Sequence, residues 1–201
     1  MSPASSIECV DNSQRGWRIQ SSTIDLFITE LGGQMAPVRF DIGGPAPVQP
    51  YYISPWQNEN IPDIPAPVLV PLRGDFFCMP FGGNAEAVNG ESHPVHGEVA
   101  TAPWRFVDAQ QADGLTALVL EMQTGVHKGK VTKKIFLRDG HNAIYSTHVL
   151  EDYDWATPLG HHCTLDLPED PGSVRVSVGS FEFGMTAPTL FSNPENREYQ
   201  S

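Results

Sequence analysis

The chain has 201 residues with a formal net charge of −12, so phosphate backbones and anionic membranes are repelled on average and nucleic acid is excluded as an expected partner. The length supports one domain with a substantial core, and a single domain over residues 1–201 is expected, with 1–16 loosely ordered. Eighteen Gly and eighteen Pro lie between apolar runs rather than in a low-complexity tract, which favours short strands over long helices.

In chain order, the opening "MSPASSIECVDNSQ" has neither a basic nor an apolar leader segment, and no run of about 18 apolar residues follows. Membrane spanning is not expected, and the chain is read as cytoplasmic. Cys9, Cys78 and Cys163 are odd in number and far apart, as reduced thiols would be. From Trp17, "WRIQSSTIDLFITEL" and "MAPVRFDI", each followed by "GG", read as strands joined by glycine turns. The proline-rich stretch "GGPAPVQPYYISPWQNENIPDIPAPVLVPL" lacks too many N–H donors for helix or central strand and reads as an ordered surface loop carrying Trp56.

Between Trp104 and Leu167 the strand pattern is strongest: "WRFVDAQQ", a "DG" at 113–114, "LTALVLEMQT", then "KVTKKIFLRDGHNAIYSTHVLEDY" with a second "DG" at 139–140. Successive hairpins are expected. The alternation in "SVRVSVGSFEFGM" predicts one more strand near the end. No segment sustains an apolar 3.6-residue period for three turns. The expected class is therefore all-β, an antiparallel β-sandwich, because many short antiparallel strands need a second sheet over their apolar face.

Three polar clusters sit at turn-rich strand ends: "PLRGDFFCMPFGGN" around Arg73, "HPVHGEVATAPW" with His93, His96 and Glu98, and "PLGHHCTLDLP" with His161 and His162. For His96 two readings stand, a general acid or base active near neutral pH and a histidine that caps a turn. His161 and His162 are adjacent, so on a strand they face opposite sides and only one enters a given site directly. Glu98, two residues beyond His96, shares its face if the chain is extended, where it orients the imidazole or meets a ligand hydroxyl; alternatively it is merely solvated. His93, His96 and Glu98 could also be read as ligands of Zn, Fe or Mn. Cupin sites space their histidines differently, and no metal or other cofactor is expected.

In this order and spacing the three clusters resemble the aldose 1-epimerase (galactose mutarotase-like) superfamily over roughly residues 17–190. The resemblance implies a galactose mutarotase-like supersandwich, incomplete at the C-terminus, and a small-molecule sugar, an aldose, as partner. It implies catalytic roles for His96 in the His–Gly segment and for His162 as the acid that protonates the ring oxygen. Arg73 matches a sugar-contacting arginine, and His93, His161 and Glu98 are placed at the sugar beside it. Trp104 and Phe81 are expected to pack strand ends. The chain departs from the pattern at Glu98, Ala100 and Leu165, which changes the pocket walls. The family's general base is a glutamate well beyond the second histidine; Glu182 stands too near His162 in sequence for that role. The expectation is thus a fragment or a protein without the base, which binds aldoses and interconverts anomers slowly or not at all. A non-catalytic carbohydrate-binding domain and a metal-dependent cupin-like enzyme are the alternatives.

Overall fold

The computed structural model describes residues 7–59, 61–83 and 86–185, which form ten strands and three single-turn 3-10 helices. Strands β1 (Glu8–Asp11), β2 (Gln14–Gln20), β3 (Ile24–Thr29), β4 (Met35–Phe40), β5 (Asp75–Cys78) and β10 (Gly160–Cys163) make one antiparallel sheet in the order β1-β2-β3-β4-β5-β10. Strands β6 (Arg105–Ala112), β7 (Leu115–Thr124), β8 (Gly129–Arg138) and β9 (Ile144–Glu151) make a second antiparallel sheet in sequence order. Among the described residues no helix is long and apolar enough to cross a membrane.

Alternation decides which side chains meet between the sheets. Trp17, Ile19, Leu26, Ile28, Val38 and Phe77 from one sheet, with Met79 just past β5, share a buried cluster with Leu118, Leu120, Met122, Val131, Ile135 and Leu137 from the other. Truncating any of these to Ala costs about 2–5 kcal/mol, since the packed neighbours only partly collapse into the void. A smaller cluster, Val68, Phe76, Cys78 and Ala100, covers the outer face of the six-stranded sheet beneath the loops at 66–72 and 98–101.

Lys133 is the exception to the apolar interior. It points inward on β8, donates to the Gly33 carbonyl at 2.7 Å and lies 4.7 Å from the Trp104 ring. Burial lowers its amine to about 8, against the opposing pull of Asp75.

The β6–β7 turn follows the sequence reading: Asp113 and Gly114 both take positive φ, 52° and 72°, as a two-residue hairpin loop demands. The second "DG" begins a longer connection, because β8 ends at Arg138 and β9 starts only at Ile144. The proline-rich stretch is a loop with 3-10 turns at Pro55–Asn58 and Pro67–Leu69, and the Trp56 indole donates to the Leu69 carbonyl at 2.8 Å.

Two expectations are corrected. Residues 8–11, inside the segment expected to be loosely ordered, are a strand paired with β2. Residues 173–185, expected as a strand from their alternation, form none and are exposed; alternation alone does not supply the ladder partners that a strand's N–H and C=O groups need. The chain falls into two units, Met1–Leu167 and Pro168–Ser201. Both sheets lie in the first. In the described part of the second, a turn at 170–173 closes with a hydrogen bond from Ser173 N–H to the Asp170 carbonyl, and Glu182 lies in no strand.

Candidate functional site

Strand β10 pairs antiparallel with β5 so that His162 opposes Phe76 and His161 opposes Phe77. Opposed residues share a face, so the adjacent histidines are divided between the outer and inner faces of the sheet.

On the outer face His162 stacks on Phe76 at 4.9 Å with 7° between the rings, and the His96 ring stands edge-on to it at 4.8 Å. Phe76 and Phe81 complete the surround of His96, at 5.9 and 5.5 Å. His96 is held from three directions. Its N–H donates to the Gly82 carbonyl at 2.6 Å, its carbonyl accepts from Met79 N–H at 3.3 Å, and its Nδ1 accepts from Gly82 N–H at 3.3 Å. That last bond places the proton of the neutral ring on Nε2. Burial and the neighbouring His162 lower the His96 pKa, so the ring is neutral at pH 7 and offers Nε2–H as a donor. His96 has φ of 66°, a conformation that costs a non-glycine residue energy and is kept where the surroundings fix it. Gly97 behind it is obligatory: a Cβ there would lie 1.9 Å from the Met79 carbonyl oxygen. Among the described residues neither His96 nor His162 has a carboxylate partner. The polar neighbour of His162 is Thr164, with Oγ1 3.5 Å from Nδ1.

The remaining candidates lie elsewhere. Arg73 is wholly buried, and its guanidinium uses all five donors within the fold: Nε to Pro71 O, Nη1 to Asp11 O and Ala36 O, Nη2 to Asn12 O and Gln57 Oε1. It ties the β1–β2 turn to the sheet and has no donor left for a sugar. Burial lowers its pKa to about 10, with Asp11 pulling the other way. Arg73 therefore does not join His96 and His162.

Glu98 is neither a partner of His96 nor merely solvated. Its carboxylate accepts from Gly125 N–H (2.9 Å) and Val126 N–H (2.9 Å), and so caps the β7–β8 turn. His161 faces inward, where Nδ1 lies 2.9 Å from Asp75 Oδ2 and the ring lies 5.5 Å from His148. His148 stacks on Phe77 at 3.9 Å, and its buried Nε2 has no hydrogen-bond partner. Burial first, then Lys133 and His161, lower the His148 pKa to about 2.

His93 belongs to a string of polar groups on the far side of Phe81. Its Nε2 is 3.3 Å from Glu91, whose other oxygen is 3.0 Å from His127 Nδ1; His127 Nε2 is 3.1 Å from Asp154. These carboxylates, Glu91 foremost, raise the His127 pKa. A cavity of about 230 Å3 opens beside this string, lined by Pro80, Phe81, His93, Tyr153, Trp155 and Pro158 among others. Phe81, expected to pack a strand end, is 44% exposed and forms the wall between this cavity and His96. Its ring sits over Gly160, where a Cβ would be 2.5 Å from it. Trp104 is buried in the core as expected.

His93, His96 and Glu98 thus serve three different sets of partners, which removes the metal-ligand reading of that segment. Among the described residues no group of three or more His, Cys, Asp or Glu side chains could hold a metal ion. Sequence reasoning missed Phe76 beneath the histidine pair, and, beside the separate cavity beyond Phe81, Glu91, His127, Tyr153 and Trp155. Of these only the Tyr153–Trp155 alternation in a polar segment carried a signal.

No protein-family model matches the chain. No curated protein matches it. Among solved structures it is similar to the Salmonella typhimurium protein YeaD, described as a "putative mutarotase", with a TM-score of 0.47 and 16% identity over 65% of this chain. The chain spans 42% of that protein's length.

Proposed function

We propose that the chain binds an aldose ring at His96 and His162, which rest on the buried Phe76, with Phe81 as a wall, and that any interconversion of the sugar's anomers proceeds by acid–base ring opening there. One observation carries the reading: two imidazoles from distant segments are brought to 4.8 Å on the face of Phe76, one of them held in a left-handed conformation.

In mutarotation a base takes the proton from the anomeric hydroxyl while an acid protonates the ring oxygen. The bond from C1 to the ring oxygen breaks, the aldehyde rotates, and reclosure on the other face returns both protons. In this reading His162 is the acid and His96, through Nε2–H, a donor to a sugar hydroxyl. Each positioned acid or base contributes on the order of 10² to 10⁴ in rate. Because the described pair has no carboxylate partner, the base factor is the one missing, and binding exceeds turnover. The same observation favours a second reading, a carbohydrate-binding domain with no turnover.

The test is NMR of α-glucose and α-galactose with the 201-residue chain. Sugar-induced shifts at His96 and His162 are expected, lost in His96→Ala and in His162→Ala, with equilibration of pure anomers near the buffer rate. Equilibration at an enzyme-like rate would show that a carboxylate of this chain acts as base. Absence of any shift at the two histidines would refute the aldose reading.

A further inference from the structure

We propose that the cavity beyond Phe81 is a second sugar-ring subsite, so that the ligand of the histidine pair is the reducing end of a di- or oligosaccharide rather than a lone monosaccharide. This rests on the aldose reading above and extends it.

Continuity is the first argument. Phe81 lines the cavity and also lies 5.5 Å from the His96 ring, so a ligand seated on the histidines meets the same aromatic edge that bounds the cavity. The backbone fixes that wall: Phe81 N–H donates to the Pro158 carbonyl at 2.8 Å, and the ring needs the absent side chain of Gly160.

Size is the second. At about 230 Å3 the cavity falls below the roughly 300–1,000 Å3 of a drug-sized site, and suits one ring with its substituents. The lining chemistry is the third. Tyr153, Trp155 and Phe81 with Pro80 and Pro158 offer flat apolar surface, which the C–H face of a pyranose covers while its hydroxyls project sideways. His93 stands among the lining residues with Glu91 and His127 hydrogen-bonded in series beside it, polar groups of the kind that meet hydroxyls.

Charge is the fourth. The cavity lining contains no Lys or Arg among the described residues, and Glu91 and Asp154 stand close by in the string that His93 begins. An anionic group, such as the phosphate of a sugar phosphate, would be repelled there, whereas a neutral ring would not.

The experiment titrates the 201-residue chain with glucose and galactose and with the reducing disaccharides maltose, cellobiose and lactose. The readouts are amide and histidine-ring NMR shifts and transfer of saturation from protein to sugar protons. At least one disaccharide is expected to bind about tenfold more tightly than its monosaccharide, with shifts at both His162 and Trp155 and with saturation reaching the non-reducing ring. Trp155→Ala should reduce the disaccharide to the affinity of the monosaccharide and leave the monosaccharide unchanged; Trp155→Phe should retain most of the gain. The saturation pattern on the unmodified chain stands even if a variant misfolds. Equal affinities with no saturation of the second ring would overturn the subsite and leave the aldose reading intact. A disaccharide that moves Trp155 but neither His96 nor His162 would overturn both, as would no binding by any sugar.

Discussion

Replacing Arg73 separates a structural from a ligand-binding role. Its five N–H groups meet four backbone carbonyls and the Gln57 side chain at 2.9–3.3 Å, and Asp11 Oδ1 lies at 3.7 Å. Summing five charged hydrogen bonds would overstate the loss, because they act as a unit. The better guide is the breaking of a buried charged constellation by removal of one partner, about 3–5 kcal/mol, with each carbonyl left without a donor adding to the cost where water cannot enter. Against a total stability of about 5–15 kcal/mol, Arg73→Met is therefore severe. With a urea dependence of about 2 kcal/mol per molar, the midpoint should fall by about 2 M; Arg73→Lys, which keeps the charge but fewer donors, should fall by less. Urea unfolding followed by tryptophan fluorescence measures both. In the folded fraction, sugar-induced shifts at His96 and His162 should be unchanged. A midpoint shift under about 0.5 M together with loss of those shifts would refute the structural assignment and return Arg73 to the sugar.

Glu98→Gln should lower stability by about 1–3 kcal/mol, because a charged acceptor of the Gly125 and Val126 N–H groups is weakened, and leave sugar binding at His96 unchanged; binding lost with stability unchanged would restore the orienting role. His148, whose pKa falls from 6.5 to about 2 on folding, binds a proton in the unfolded chain but not in the folded one throughout that window, so stability falls as pH drops below about 6.5, by about 1.4 kcal/mol per unit for this group. His148→Phe, which keeps a ring against Phe77 and removes an unsatisfied nitrogen, should flatten urea midpoints between pH 6.5 and 4.5; parallel profiles for the two proteins would refute this, since His127 titrates with the opposite sign in both.

The strands with the cleanest alternation, β2 to β4 and β6 to β9, were legible because their inward positions are apolar apart from Lys133 and most of their turns carry Gly or Asp–Gly. Strand β1 was not. Its four residues "ECVD" have no such pattern, and what fixes the turn after it is Arg73, far along the chain. Residues 173–185 show the converse, a pattern without a partner. In the site, the motifs named His96 and His162 and the structure brings them together, because the "HPVHG" turn and β10 both anchor on β5 and the turn after it. A motif specifies residue type and spacing but not direction. Arg73, His161 and Glu98 have the right types, yet a buried turn, the opposite sheet face and the β7–β8 loop claim their side chains. His93 and the aromatics around Phe81 depend on contacts between segments some sixty residues apart in sequence, which no local pattern encodes.

The division of the histidines explains why the outer pair is the one suited to a neutral ligand. His161 faces a carboxylate in Asp75, and His93 and His127 face Glu91; such a partner occupies a ring nitrogen, and at His127 it favours the charged imidazolium. His96 instead faces another imidazole and a backbone N–H, both of which disfavour protonation. Bringing a proton to its Nδ1 would also break the bond from Gly82. His96 consequently stays uncharged at neutral pH, with burial acting in the same direction. A neutral imidazole beside the half-exposed ring of Phe81 suits the hydroxyls and apolar face of a sugar better than it suits an anion. The adjacent histidines of β10 therefore make two environments from one dipeptide: pleating sends His161 to an acid and His162 to a base-poor aromatic face, and that difference in surroundings, rather than the residue type, separates a structural imidazole from a candidate ligand-binding one.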